Sequence, residues 1–535
     1  MGQRGAVQGW ARSGLAGPVS AHPYTGPMTH PLEGEDAVLI TKELFVGGEW
    51  LIGSSRQWLD VVSPSTEKPF CRVVVPSFRD LDRGVAAARV AFDTGPWPQL
   101  SIDERAGYLR DAMKIFEDKY LQTAIAMQTD ETGSPQAFLR SATGVLSRVL
   151  EQVVRDAADV TFSETRSRLS GPVRVLREPL GVVVGIVPWE APVLAAATKL
   201  LPSLLMGCPV LLKTAPQTPF SAYLLAQALS DAGLPPGVVS ILPGGRDVGA
   251  YLISHPQVDA VMFTGSTATG RQIAAVCGDQ LKSVSCELGG KSAAIVAPGA
   301  DLNAHLPALL AHALTNNGQL HVATTRLLVH TSQADLLREA LIAAVSTMKI
   351  GDPHDPATAL GPLVSDLQRD RVEGYVSSGL AQGATLAYGG TRPEDPAVGY
   401  YLRPAIFTDV TNDMAIACDD IFGPVLAIIS YDTEAAAIRL ANDSSYGLGG
   451  RVYADDPEQA LYLAAQLRSG TCSINDAPFA SGGGPFGGNK TSDLGRHAGA
   501  EGLHRYLQVK SIALPKSWPV QKGCQGTNTM SSGCA

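Results

Sequence analysis

The stretch GVVVGIVPWEAPVLAAATKLLPSLLMGCPVLLK, Gly181–Lys213, decides the fold. GVVVGIVPW reads as a buried strand, Pro192–Met206 as a helix and CPVLLK as a second strand. The same stretch holds the most apolar long window, Val193–Leu212, which Lys199, Pro202 and Pro209 interrupt. A buried helix followed by a strand fits that pattern better than a membrane span. Working outward, Ser221–Ala232 is a helix closed by Gly233 and LPPG, and VVSILPG and VDAVMFTGS are strands. TGRQIAAVC opens another helix and SVSCELGG ends the series. Strand-helix alternation of this kind predicts an α/β fold with a doubly wound parallel sheet.

A second unit, roughly Lys291 to Thr491, alternates in its own right: a helix at Asn303–Thr315, the strand TRLLVHT, and a helix at Asp335–Thr347. GYYLRPAIFTDV, PVLAIISY and GGRVYADD read as later strands. Upstream, Asp80–Phe92 and Ile102–Thr129 are helical by pattern. Residues 1–43 are expected to form a disordered arm without the apolar core of a signal peptide, and 516–535 a loose polar tail.

Composition narrows the function. The 535 residues are 45% apolar and 17% charged, a globular profile for two or three domains. A net charge of -9 and the lack of any Lys/Arg run exclude a general nucleic-acid binder, which must neutralise phosphates. Eight cysteines without CxxC spacing suggest reduced thiols in the cytoplasm, not a zinc ribbon or a disulfide framework.

Six motifs follow one another: PWEAP at Pro188–Pro192, FTGSTATG at Phe263–Gly270, ELGGK at Glu287–Lys291, NNGQLH at Asn316–His321, IFGPV at Ile421–Val425 and PFGGNKTSDLGR at Pro485–Arg496. In order and spacing they resemble the aldehyde dehydrogenase superfamily from about Phe45 to about Lys510. The resemblance implies a dinucleotide-binding domain over 44–159 and 179–289 and an α/β catalytic domain over 290–491. It also implies a small β oligomerisation element from 160–178 and 503–515, with a homodimer or homotetramer as the usual assembly.

For the cofactor, NAD or NADP, the resemblance puts Gly265 and Ser266 beside the pyrophosphate, where a strand-to-helix loop can aim backbone N–H groups at an anion. Lys213 matches a lysine that contacts the adenosine ribose, and Trp189 and Phe422 match the aromatic walls. Two positions depart from the family: Pro216 replaces a glutamate for the ribose hydroxyls, and Asp420 replaces a longer glutamate at the nicotinamide ribose. A Walker loop is a poor alternative, since Arg271 and Gln272 follow Gly270.

At the reacting centre the resemblance implies that His321 stands where the family has its nucleophilic cysteine, and Glu190 where it has an oxyanion-binding asparagine. Glu287 keeps the place of the base. An imidazole is a weaker nucleophile than a thiolate, and losing one oxyanion donor costs about 2.7–4 kcal/mol. Cys286 and Cys472 read as small buried residues, not as substitute thiols. An imidazole and two carboxylates around one pocket instead suit proton transfer at a small carbonyl or imine, as in enolisation, dehydration or cyclisation. Asp476, in NDAPF, is expected to join them. Two other readings stay open: an NAD(P)-dependent dehydrogenase or reductase whose hydride step needs no cysteine, and a non-catalytic binding protein. A metal on Glu190, Glu287 and His321 has acceptable ligand types, and the spacing neither supports nor excludes one. No nucleic-acid or membrane partner is expected.

Overall fold

The computed structural model describes residues 30–31, 38–168, 171–479 and 483–518. Most of the expected N-terminal arm and C-terminal tail lies outside them. Four sheets organise the described residues.

The largest has eight strands, in the spatial order Asp493–Leu494, Ser283–Glu287, Ala260–Thr264, Val183–Ile186, Val210–Thr214, Val239–Pro243, Glu43–Val46 and Glu49–Ile52. The five strands from Ser283–Glu287 to Val239–Pro243 run parallel, with antiparallel strands on either flank. The residues of the Val183–Ile186, Val210–Thr214 and Ala260–Thr264 strands are all buried, as near-continuous apolar runs require when helices cover both faces. The chain leaves Val183–Ile186 toward Val210–Thr214 on one side and returns to Ala260–Thr264 on the other. The strand order therefore reverses between Val183–Ile186 and Ala260–Thr264, and the crevice beyond their carboxyl ends is where such sheets take ligands. PWEAP follows the first of these strands and Gly265–Ser266 the second.

A seven-stranded sheet follows, in the order Thr385–Tyr388, Ala405–Thr408, Val425–Tyr431, Thr324–His330, Ser292–Val296, Gly449–Tyr453 and Thr471–Ile474. All neighbours are parallel except the first pair. Ser163–Arg168, Gly171–Pro179 and Leu507–Ala513 form a separate antiparallel sheet. Among the described residues no helix is long and apolar enough to cross a membrane.

Three expectations change. Leu39–Thr41 belongs to no loose arm: it pairs in parallel with Cys71–Val73, and Leu39 is buried, because this short apolar run finds a sheet edge to cover. The expected helix Ile102–Thr129 is broken by a wider turn at Phe116–Tyr120, between helices Ile102–Ile115 and Leu121–Thr132. In GYYLRPAIFTDV only Ala405–Thr408 is strand.

Candidate active site

Three loops meet where the two large sheets face each other. Glu190 sits in the turn after Val183–Ile186, just before left-handed Ala191 (φ 43°) opens the helix Pro192–Leu205. An alanine in that region carries about 1–3 kcal/mol of strain, which the surrounding packing must offset. His321 follows a turn in which Asn316 and Asn317 are also left-handed, a conformation asparagine tolerates. That turn is pinned from three sides. The Ser134 hydroxyl bonds Asn316, Asn317 donates to Pro362 O at 2.8 Å, and Val364 N donates to Gln319 Oε1 at 3.0 Å. A Cβ on Gly318 (φ 71°) would lie 2.7 Å from Gly423 C, so only glycine lets this loop touch the IFGPV loop.

Glu287 closes the strand Ser283–Glu287. Alternation along that strand sends Cys286 the other way, toward Gly270 O, and Glu287 toward the helix Pro192–Leu205. His321 Nδ1 is 2.6 Å from Glu190 Oε1, a short hydrogen bond, whereas Nε2 is 3.4 Å from Glu287 Oε1, a longer and weaker contact. Behind Glu287, Lys199 Nζ donates to Oε2 at 3.0 Å and Thr264 Oγ1 at 2.8 Å. Lys199 Nζ is also 3.4 Å from His497 Nδ1, and His497 Nε2 is 3.4 Å from Asp493 Oδ2.

Acidic and basic groups therefore alternate from Glu190 through His321 and Glu287 to Lys199. Burial pulls the His321 imidazolium down, but Glu190 and Glu287 override it and hold the ring up at about 10. Burial pushes the Glu190 carboxyl up, and His321 only partly reverses this. Burial also pushes Glu287 up, yet Lys199, His497 and His321 more than offset it, and its carboxyl lies well below the usual range. The two carboxylates therefore favour the protonated ring of His321, a form with no lone pair for attack. Among the described residues no group of three His, Cys, Asp or Glu is arranged to hold a metal.

The structure brings together Glu190, Glu287 and His321, and leaves Asp476 out. That residue is exposed beyond the strand Thr471–Ile474, where left-handed Asn475 (φ 53°) turns the chain, and its charge acts on His312 and Arg451 instead. Sequence reasoning missed Lys199, Thr264, His497 and Asp493. Lys199 carried a signal, since a lysine inside an apolar helix must find a partner. His497 carried none.

Of the expected cofactor residues, Trp189 and Phe422 meet edge to face, with ring centroids 5.2 Å apart. Phe422 itself is left-handed (φ 60°). Lys213 is the penultimate residue of the buried strand Val210–Thr214, and burial pushes its ammonium down to about 8. Among the described residues it has no hydrogen-bond or ion-pair partner. Ser266 caps the helix Thr267–Asp279, accepting from Thr269 N, with Gly265 N bonded to Glu287 O at 3.0 Å. Asp420 is pushed up to about 6 by burial, with Lys291 pulling it back. Arg371 holds its loop by donating to Asp420 O at 2.7 Å.

Comparison with known proteins agrees with this architecture. Residues 50–512 match the model of the aldehyde dehydrogenase family. The chain is 38% identical over 482 residues to geranial dehydrogenase of Castellaniella defragrans, covering 88% of this chain and 98% of that one. A crystal structure of a Mycobacterium tuberculosis aldehyde dehydrogenase complexed with NAD+ superposes with a TM-score of 0.86 at 41% identity, over 90% of this chain and 99% of the other. A mutant aldehyde dehydrogenase from Pseudomonas syringae, complexed with NAD+ and octanal, gives a TM-score of 0.83 at 34% identity, over 88% and 96%.

Proposed function

The chain belongs to the aldehyde dehydrogenase family, and from that membership we propose that it is a nicotinamide-dependent oxidoreductase of small aldehydes that works without a thiol. His321 stands at the nucleophile position of the family and acts as an acid, not as a nucleophile. The observation that carries this reading is the asymmetric clamp on its ring. Nδ1 is fixed on Glu190 at 2.6 Å, while Nε2–H is loosely held 3.4 Å from Glu287. A carbonyl oxygen can take the place of that weaker contact and receive the Nε2 proton. In the opposite direction Glu287, ionised through Lys199, accepts a proton from a hydroxyl or a hydrated aldehyde. The cation also opposes negative charge developing on the carbonyl oxygen, which is the role the asparagine amide would otherwise fill.

The cleft suits a dinucleotide. Lys213 offers a buried amine with no partner, Trp189 and Phe422 form an aromatic wall, and the helix Thr267–Asp279 presents its N-terminus at the point where strand order reverses. When bound, the nicotinamide supplies or takes the hydride at the carbonyl carbon. NAD+ in the solved relatives and dehydrogenase activity in the named ones favour this reading over a redox-neutral use of the same acid and base. The reading also takes 44–159 with 179–289 as the dinucleotide-binding part, 290–491 as the catalytic part, and 160–178 with 503–515 as a dimer or tetramer contact. Support for that contact comes from the Leu507–Ala513 strand, which has one unpaired edge and exposes Val509 and Ile512.

Titration with NADH and NADPH, followed by nicotinamide fluorescence, tests the cofactor. The expected result is saturable binding of at least one, weakened about tenfold in Lys213→Met through loss of one charged hydrogen bond. Absence of binding to both leaves no hydride chemistry and returns the site to redox-neutral acid-base work.

A further inference from the structure

A second cavity lies along the amino end of the strand Ser292–Val296, beneath the loop that precedes the strand Gly449–Tyr453. It is a narrow pocket, part of it open to solvent. Four cationic side chains line it, Lys291, Arg326, Arg468 and Lys490, together with Ser292 and Tyr446, and no carboxylate does. The acids that act on these cations, Asp419, Asp420 and Asp443, lie outside the lining.

The donors divide into two sets. Arg326 is fully engaged: Nε donates to Lys291 O, Nη1 to Leu440 O and Asn412, and Nη2 to Ala441 O. Lys490 Nζ donates to Asn442 O and Ser444 O. These two supply field only. The other set is free. Ser292 Oγ is buried without a hydrogen-bond partner. Lys291 is a buried residue that makes no hydrogen bond or ion pair among the described residues, its main charge partner being Asp420 outside the lining, and the exposed Arg468 guanidinium makes none either. A buried cation and a buried hydroxyl are normally paired, so Lys291 and Ser292 are an incomplete set, with the solvated Arg468 beside them at the mouth.

We infer that this cavity binds a compact oxyanion, held by Lys291, Ser292 and Arg468 within the field of Arg326 and Lys490. Burial pulls the Lys291 ammonium down to about 7, with Asp420 raising it and Arg326 lowering it; an anion is the partner that restores its charge. Several acceptor oxygens suit the separate donors, and the open mouth admits a carboxylate or a phosphate group alike.

Isothermal titration of the full chain with inorganic phosphate, sulfate and acetate tests this without any turnover, so its outcome is independent of the proposed oxidoreductase activity. The acetate and phosphate arms separate a carboxylate site from a phosphate site. Saturable binding is expected, weakened about tenfold in Arg468→Glu and also in Ser292→Ala, and unchanged in Lys213→Met. Arg468 is exposed, so its variant should keep the wild-type thermal midpoint. Two results overturn the inference. One is no saturable binding of any of the three ions. The other is binding that Lys213→Met weakens and Arg468→Glu spares, since the ion would then sit in the dinucleotide cleft.

Discussion

His321→Ala is expected to lower turnover by about 10²–10⁴-fold, the usual contribution of a positioned acid, and to destabilise the fold by about 3–5 kcal/mol, since it strips a partner from buried charges. Without the imidazolium, Glu190 and Glu287 face each other across an empty space, and one must take a proton or admit water. Initial rates with a small aldehyde and urea unfolding at neutral pH check both effects. Retention of wild-type turnover would show that the ring merely fills volume.

The sign of the pH effect follows from the same group. The folded pKa of His321 is raised to about 10, so its contribution to stability is complete below the unfolded value of about 6.5 and is lost as pH rises through about 10. Wild type should therefore lose more stability than His321→Ala between those limits. Parallel curves would place His321 outside the charge row.

Lys199→Met is the second large effect. Lys199 is almost fully buried and its ammonium bonds Glu287 Oε2 at 3.0 Å. Removing it leaves a buried carboxylate short of its main counter-ion, a loss of about 3–5 kcal/mol at neutral pH. Glu287 now has a depressed pKa, so its contribution is present above the unfolded carboxylate value and disappears only as pH falls through the folded one. In the variant, burial is opposed by His497, His321 and the Thr264 hydroxyl but no longer by Lys199, and the Glu287 pKa rises. Its stability should then improve, relative to wild type, as pH is lowered toward the carboxylate range. The acid limb of the pH–rate profile should move upward as the base takes up its proton earlier. An unshifted acid limb would remove Glu287 from the base role, even if the variant were less stable.

How much of this was legible in the sequence differs by level. The doubly wound sheet could be read from Gly181 to Glu287 because four of its five parallel strands are buried along their whole length and appear as largely apolar runs. The break at Phe116–Tyr120 was hidden, because a widened turn keeps helical composition. Glu190, Glu287 and His321 could be found because each lies in a motif of its own. Their mutual geometry could not, since it depends on left-handed turns at Ala191, Asn316 and Asn317. Lys199 and His497 belong to elements nearly three hundred residues apart, 298 by count, and only packing joins them. Asp476 was misplaced because strand alternation stops at Asn475, whose turn redirects everything after it.

The most direct test of thiol-free hydride exchange is turnover of a small aldehyde followed by nicotinamide absorbance, in both directions, before and after alkylation with iodoacetamide. The account predicts an absorbance change that survives alkylation undiminished and vanishes in His321→Ala. Activity that disappears in step with alkylation of a cysteine, or no absorbance change with either cofactor in either direction, would contradict it.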